Sequence, residues 1–158
     1  MYADTLHDFY ALKGDIAFVI RKAKDPARIG LTAHTAILHK LVSMGFEVLQ
    51  PLSDDLRYDL AYYVEETAEL ARIQCKAGRY VPEIGCILFK NYNVTGGRTG
   101  KRGYIGDAEY FGVYCEDLNK TYLVPVDLFP STKEIYLRVI PSKNNQVKKV
   151  IWARDYEI

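Results

Sequence analysis

Tyr58-Asp59-Leu60 and, one hairpin later, Arg72-Ile73-Gln74-Cys75-Lys76-Ala77-Gly78 are the two stretches that decide how this chain is read. Residues 58–64 are rich in tyrosine and β-branched side chains and predict a strand. Residues 70–77 predict a second, ending at Gly78. Glu65 to Ala68 lies between them and is short enough for a hairpin connection. Side chains alternate between the two faces of a strand. Gln74 and Lys76 therefore share one face, while Ile73, Cys75 and Ala77 take the other and suit a core. The hairpin carries Asp59 to the side of Gln74 and Lys76, so an acid, an amide and an ammonium converge on one face of a sheet.

Hydrolysis of a phosphodiester needs such a set. A hard divalent cation such as Mg²⁺ takes oxygen ligands. Asp59 offers a carboxylate, Gln74 its side-chain carbonyl, and the backbone carbonyl of Cys75 a third oxygen. Lys76 is placed to orient a water and to offset charge on the phosphorane. The spacing fits equally an Asp at a strand start beside a solvated Gln/Lys face, and spacing does not choose between the two.

Working outward, residues 5–24 predict a helix with Leu12, Ile16, Val19 and Ile20 at helical spacing, broken by Asp25-Pro26. A second helix is predicted over 31–44, capped by Thr32, with Ile37, Leu38, Leu41 and Val42 as its apolar stripe and Gly45 as its stop. Short strands come next over 46–49, 85–90, 110–115 and 121–126, with edges over 135–140 and 150–152. Asp54-Asp55 marks a turn. Residues 91–106 hold five glycines and read as a loop. Helices first and a mixed sheet afterwards predict one α/β domain.

Bulk properties agree. A chain of 158 residues, 49% hydrophobic, supports one core and hardly two. The net charge of +1 means that any basic surface is local. Cys75, Cys86 and Cys115 are odd in number and widely spaced, which supports neither a zinc site nor a disulfide framework and fits small buried residues. No apolar run is long enough to span a bilayer, and residues 1–10 do not read as a signal peptide. A soluble, cytoplasmic protein is expected.

The blocks Gly45-Phe46-Glu47-Val48-Leu49-Gln50-Pro51-Leu52, Tyr58-Asp59-Leu60 and Ile73-Gln74-Cys75-Lys76-Ala77-Gly78 together resemble a PD-(D/E)-X-K nuclease family known from group I intron homing endonucleases of cyanobacteria. Tyr104 to Tyr114, Tyr122-Leu123-Val124-Pro125-Val126, Leu137-Arg138 and Trp152-Ala153 with Asp155-Tyr156 extend the likeness over most of 30–158. The resemblance implies a restriction-endonuclease-like fold, Mg²⁺ as cofactor, double-stranded DNA as substrate and assembly into a homo-dimer or tetramer. It implies Asp59, Gln74 and Lys76 as the catalytic set, with glutamine in place of the usual second acid. Residues 1–29 then read as an N-terminal helical addition to a single nuclease domain.

There is one departure. Many members of that family carry a glutamate eleven residues before the glycine that ends the helix, and here that position is His34. Imidazole prefers softer metals, so His34 is read as a phosphate contact or, more simply, as a surface helix residue. The basic loop residues Lys90, Arg98, Lys101 and Arg102 are candidates for DNA contact. Arg21, Lys22, Lys24 and Arg28 form a second cluster at a helix end, and Lys143, Lys148 and Lys149 read as a solvated tail. Two other readings remain on the same fold: a DNA-binding protein without catalysis, and a junction or repair nuclease that reads DNA shape.

Overall fold

The computed structural model describes residues 25–53, 55–95, 100–142 and 149–158. The helix predicted over 5–24, Asp54, and the basic residues Arg21, Lys22, Lys24, Arg98, Lys143 and Lys148 lie outside them.

Helix α1 spans Pro26–Ser43 and starts earlier than predicted. Asp25-Pro26, a break by its sequence, is its beginning. Proline suits the first helical position because its missing N–H would be unpaired there anyway. The Asp25 carboxylate accepts the Ala27 N–H at 3.2 Å and caps the end. Thr32 is not the cap, since its hydroxyl lies inside the helix and donates to the Arg28 carbonyl at 2.8 Å. Ala33, Ile37 and Leu41 form the buried stripe. Leu38 packs at its edge, and Val42 is exposed. Gly45, at φ +89°, sits just past the helix end as expected.

The strands are β1 (Val48–Leu49), β2 (Leu60–Val64), β3 (Glu69–Val81), β4 (Cys86–Lys90), β5 (Asn93–Thr95), β6 (Gly100–Arg102), β7 (Tyr110–Cys115), β8 (Lys120–Pro125) and β9 (Glu134–Arg138). Three features differ from the sequence reading. β3 runs on through Gly78 to Val81. Gly78 is a packing glycine there: a Cβ would stand 2.8 Å from Ile87 Cγ2 and 2.9 Å from Val113 Cγ1. The glycine-rich loop contains the β5–β6 hairpin. Residues 150–152 contribute one isolated bridge, Arg138 with Trp152.

β3 is the axis of a seven-stranded mixed sheet. Its first half pairs antiparallel with β2, Ile73 opposite Leu60. Its last residues pair antiparallel with β4, Arg79 opposite Leu88. Its middle, 73–78, pairs parallel with β7. β2 and β4 share the edge opposite β7, and they part over 74–78. β8 extends the sheet beyond β7, β9 beyond β4, and β1 beyond β2.

Each face has its own core. α1 lies against Leu60, Tyr62, Ala71 and Ile73, with Cys75 at the margin. The opposite face collects Ile87, Phe89, Phe111, Val113, Tyr122, Val124 and Leu137. Ile73 meets the core as predicted, whereas Ala77 is exposed. Cys86 and Cys115 are buried, and all three cysteines are free thiols. No helix among the described residues is long and apolar enough to cross a membrane.

Gly112 lets α1 approach the sheet. A Cβ there would lie 2.9 Å from both Ile37 Cγ2 and Ile73 Cγ2. Those carbons branch at Cβ and have little freedom to move away. Gly112→Ala should therefore destabilise the fold by about 1–3 kcal/mol, the range for overpacking a filled core. Urea denaturation should show a lower midpoint at unchanged slope, and an unchanged midpoint would mean that the helix seat is looser than these distances require.

Candidate active site

Where β2 and β4 part, the middle of β3 has a partner on one edge only. Backbone groups of successive strand residues point to alternate edges. The Ile73 carbonyl accepts the Asp59 N–H at 2.8 Å on the β2 edge, and the Arg72 carbonyl accepts the Glu109 N–H at 2.9 Å on the other. Cys75 therefore points its N–H and carbonyl into the gap. Asp59, just before β2, fills it: Asp59 Oδ2 accepts the Cys75 N–H at 2.7 Å and also the Gln74 side-chain amide. Lys76 lies two residues on, on the Gln74 face. The structure thus brings the three predicted residues together.

The electrostatics follow from half-burial. Desolvation raises the pKa of Asp59 above the ordinary carboxylate value, opposed by the Cys75 hydrogen bond, by the charges of His34 and Lys76, and by the Gln74 amide. Desolvation lowers Lys76 to about 8, with Arg57 pushing the same way and Asp59 opposing. Burial pushes the Cys75 thiol up, which keeps it protonated.

His34 lies nearer the site than a plain surface residue would. Its Nε2 is 3.3 Å from the Gln50 amide, and its charge reaches Asp59 from α1. Sequence reasoning assigns no role to three neighbours. Tyr104, 3% exposed, accepts a hydrogen bond from Lys76 Nζ at 3.1 Å. Arg57 lies over the Tyr104 ring, 4.5 Å from its centroid. Asp107 accepts from Arg57 Nε at 2.7 Å. Tyr104 and Asp107 fall in a stretch whose likeness to the family is visible, but no spacing rule ties them to Lys76.

The donor set facing the gap consists of one carboxylate, one side-chain amide and the Cys75 carbonyl. Among the described residues no group of three His, Cys, Asp or Glu is arranged to hold a metal. Oxygen donors with a single charge fit a hard cation that keeps most of its own waters, which is how Mg²⁺ behaves. They do not fit zinc.

Of the predicted DNA contacts, Lys101 and Arg102 lie on β6 and are exposed. Lys101 Nζ is 4.6 Å from the Tyr92 ring centroid, and Arg102 pairs with Asp107 at 3.3 Å. Lys90, exposed at the end of β4, is in register with Glu134. The hairpin is joined to the site through Gly103, whose carbonyl accepts from Arg57 at 2.5 Å.

Asp59 is the main charge keeping Lys76 protonated against desolvation. Asp59→Asn should move the Lys76 pKa below its value of about 8, because the neutral amide no longer favours the ammonium. A pH titration of ¹³C-labelled lysine side chains reads this directly. An unmoved Lys76 would mean that the two groups are not coupled.

Residues 24–158 match the PD-(D/E)XK endonuclease family. Among solved structures the chain is similar to a bacterial homing endonuclease, I-Ssp6803I, with 25% sequence identity and a TM-score of 0.68 over 85% of this chain and 89% of that one. No curated protein matches the sequence. The helix and mixed sheet form the restriction-endonuclease-like α/β fold that the sequence predicts. With the match covering all of the described residues, the chain belongs to the PD-(D/E)XK endonuclease family.

Proposed function

We propose that this protein is a Mg²⁺-dependent endonuclease that hydrolyses phosphodiester bonds at specific sites in double-stranded DNA. The observation that carries this reading is the convergence of Asp59, Gln74 and Lys76 at the gap in β3, within a chain of an endonuclease family.

Asp59, the Gln74 carbonyl and the Cys75 carbonyl are the proposed ligands. The bound cation supplies Lewis-acid polarisation of the phosphate and acidification of a water. Lys76 contributes positive charge beside the scissile phosphate, where charge grows toward the transition state. Its partial burial makes that charge more effective than it would be in water. Lys101 and Arg102 on the hairpin, with Lys90 and Arg98, hold the sugar-phosphate backbone. One site cuts one strand, so two copies of the chain related by symmetry supply the second cut, in a dimer or tetramer.

The test is cleavage of a random duplex library, with Mg²⁺ and separately with Ca²⁺. Discrete cuts at a shared sequence are expected with Mg²⁺. Asp59→Asn should abolish them while DNA binding persists, because the phosphate contacts are untouched. Binding without cutting would instead mark a DNA-binding protein, and cuts only in branched DNA a junction nuclease.

Gln74→Glu separates the metal role from the fold. The amide that donates to Asp59 becomes a carboxylate facing a carboxylate. Without metal the like charges repel, and thermal stability in a chelator should fall by a few degrees, or about 1 kcal/mol. With Mg²⁺ the second charged oxygen is a stronger ligand. The variant's melting temperature should climb with Mg²⁺ more steeply than the parent's, and half-maximal cleavage should need less metal. A variant that needs as much Mg²⁺ as the parent would remove Gln74 from the ligand set.

A further inference from the structure

Lysine reaches its working position on a four-carbon stem with about 2 kcal/mol of rotamer entropy. An unanchored ammonium in the β3 gap would sample many positions. Lys76 is anchored. Its Nζ donates to the Tyr104 hydroxyl at 3.1 Å and stands 4.4 Å from the centroid of that ring. The phenol is itself fixed. Its ring meets Phe111 edge-on at 5.7 Å and 88°. Its backbone carbonyl accepts from the N–H groups of Asp107 and Ala108 at 2.9 and 3.1 Å. Arg57 lies over the same ring and is held by Asp107 and the Gly103 carbonyl. Burial keeps the Tyr104 hydroxyl protonated through the neutral range.

We infer that Tyr104 is a positioning residue for the cleavage reaction: its hydroxyl and ring fix the Lys76 ammonium beside the reacting phosphate. This rests on the endonuclease reading of the same site. A tyrosine serving the core alone needs its ring and nothing more. The hydroxyl aimed at the one ammonium of the catalytic set is the feature that packing leaves unexplained.

Tyr104→Phe keeps the ring and removes only the hydroxyl, so it tests positioning apart from packing. Single-turnover cleavage would be measured for the parent, Tyr104→Phe, Lys76→Ala and the double variant, with DNA affinity measured alongside. Tyr104→Phe should lower the rate of the chemical step roughly 10-fold, the lower end for losing a group that orients a site residue, at unchanged affinity. In the Lys76→Ala background the same change should have no further effect, because the two residues act as one unit. The ¹³Cε resonance of Lys76 should also move toward that of a free lysine in Tyr104→Phe. A parent-like rate, equal losses in rate and affinity, fully additive losses in the double variant, or an unmoved Lys76 resonance each overturns the inference while leaving the endonuclease reading intact. A parent protein that cuts no DNA sinks both.

Discussion

The site depends on one hydrogen bond, from the Cys75 N–H to the Asp59 carboxylate. A strand flanked on both edges has no backbone donor to spare. β3 does, because β2 leaves it at Ile73 and β4 joins only at Arg79. An unpaired amide in a partly buried gap costs free energy unless something accepts from it. The carboxylate that accepts is that of Asp59. The split in the sheet thus creates a free backbone edge, and the free edge fixes the orientation of Asp59. The Cys75 carbonyl faces the same gap, where neither β2 nor β4 pairs with it.

Charge in the gap is closely balanced. Burial raises the pKa of Asp59 and lowers that of Lys76, which disfavours the charged form of each. Each opposes that shift in the other, and His34 adds to the effect on Asp59. The Gln74 amide satisfies Asp59 Oδ2 without adding a second negative charge. Glutamine is therefore more than a weakened acid. It donates to Asp59 through its amide nitrogen, which a carboxylate in that place could not do.

Much of this is legible in the sequence. Alternation along β3 places Gln74 and Lys76 on one face, and the hairpin brings Asp59 to them, because both rules are local. The helix start is ambiguous in sequence because Asp25-Pro26 can either break a helix or begin one. Only the packing of Ala33, Ile37 and Leu41 on the sheet decides for a beginning. Gly78 has the look of a strand stop. It is instead a close approach to Ile87, across the β3–β4 hairpin, and to Val113, on a strand paired with β3 across a long stretch of chain. Tyr104 and Arg57 escape sequence reasoning for the same reason. Twenty-eight residues separate Lys76 from Tyr104, and no periodicity links positions joined only by a seven-stranded sheet. The β5–β6 hairpin is hidden because glycines signal turns without showing that the flanking residues pair.

Asp107 links the gap in β3 to the β5–β6 hairpin. It faces two guanidinium groups. Arg57 binds it at 2.7 Å and also reaches the Gly103 carbonyl, in a half-buried setting. Arg102 is well exposed and meets the same carboxylate at 3.3 Å. An exposed pair of that length is worth about 1 kcal/mol or less in water, so a phosphate can compete for Arg102 at little cost. Arg57 cannot be drawn away so easily, since leaving would strand a partly buried carboxylate. The two arginines therefore have different duties, although they share a partner. Arg57 belongs to the frame around Tyr104 and Lys76, and Arg102 is the more exposed of the two. Gly103 follows Arg102 in the chain and its carbonyl accepts from Arg57, so the hairpin is tied to the frame around Lys76.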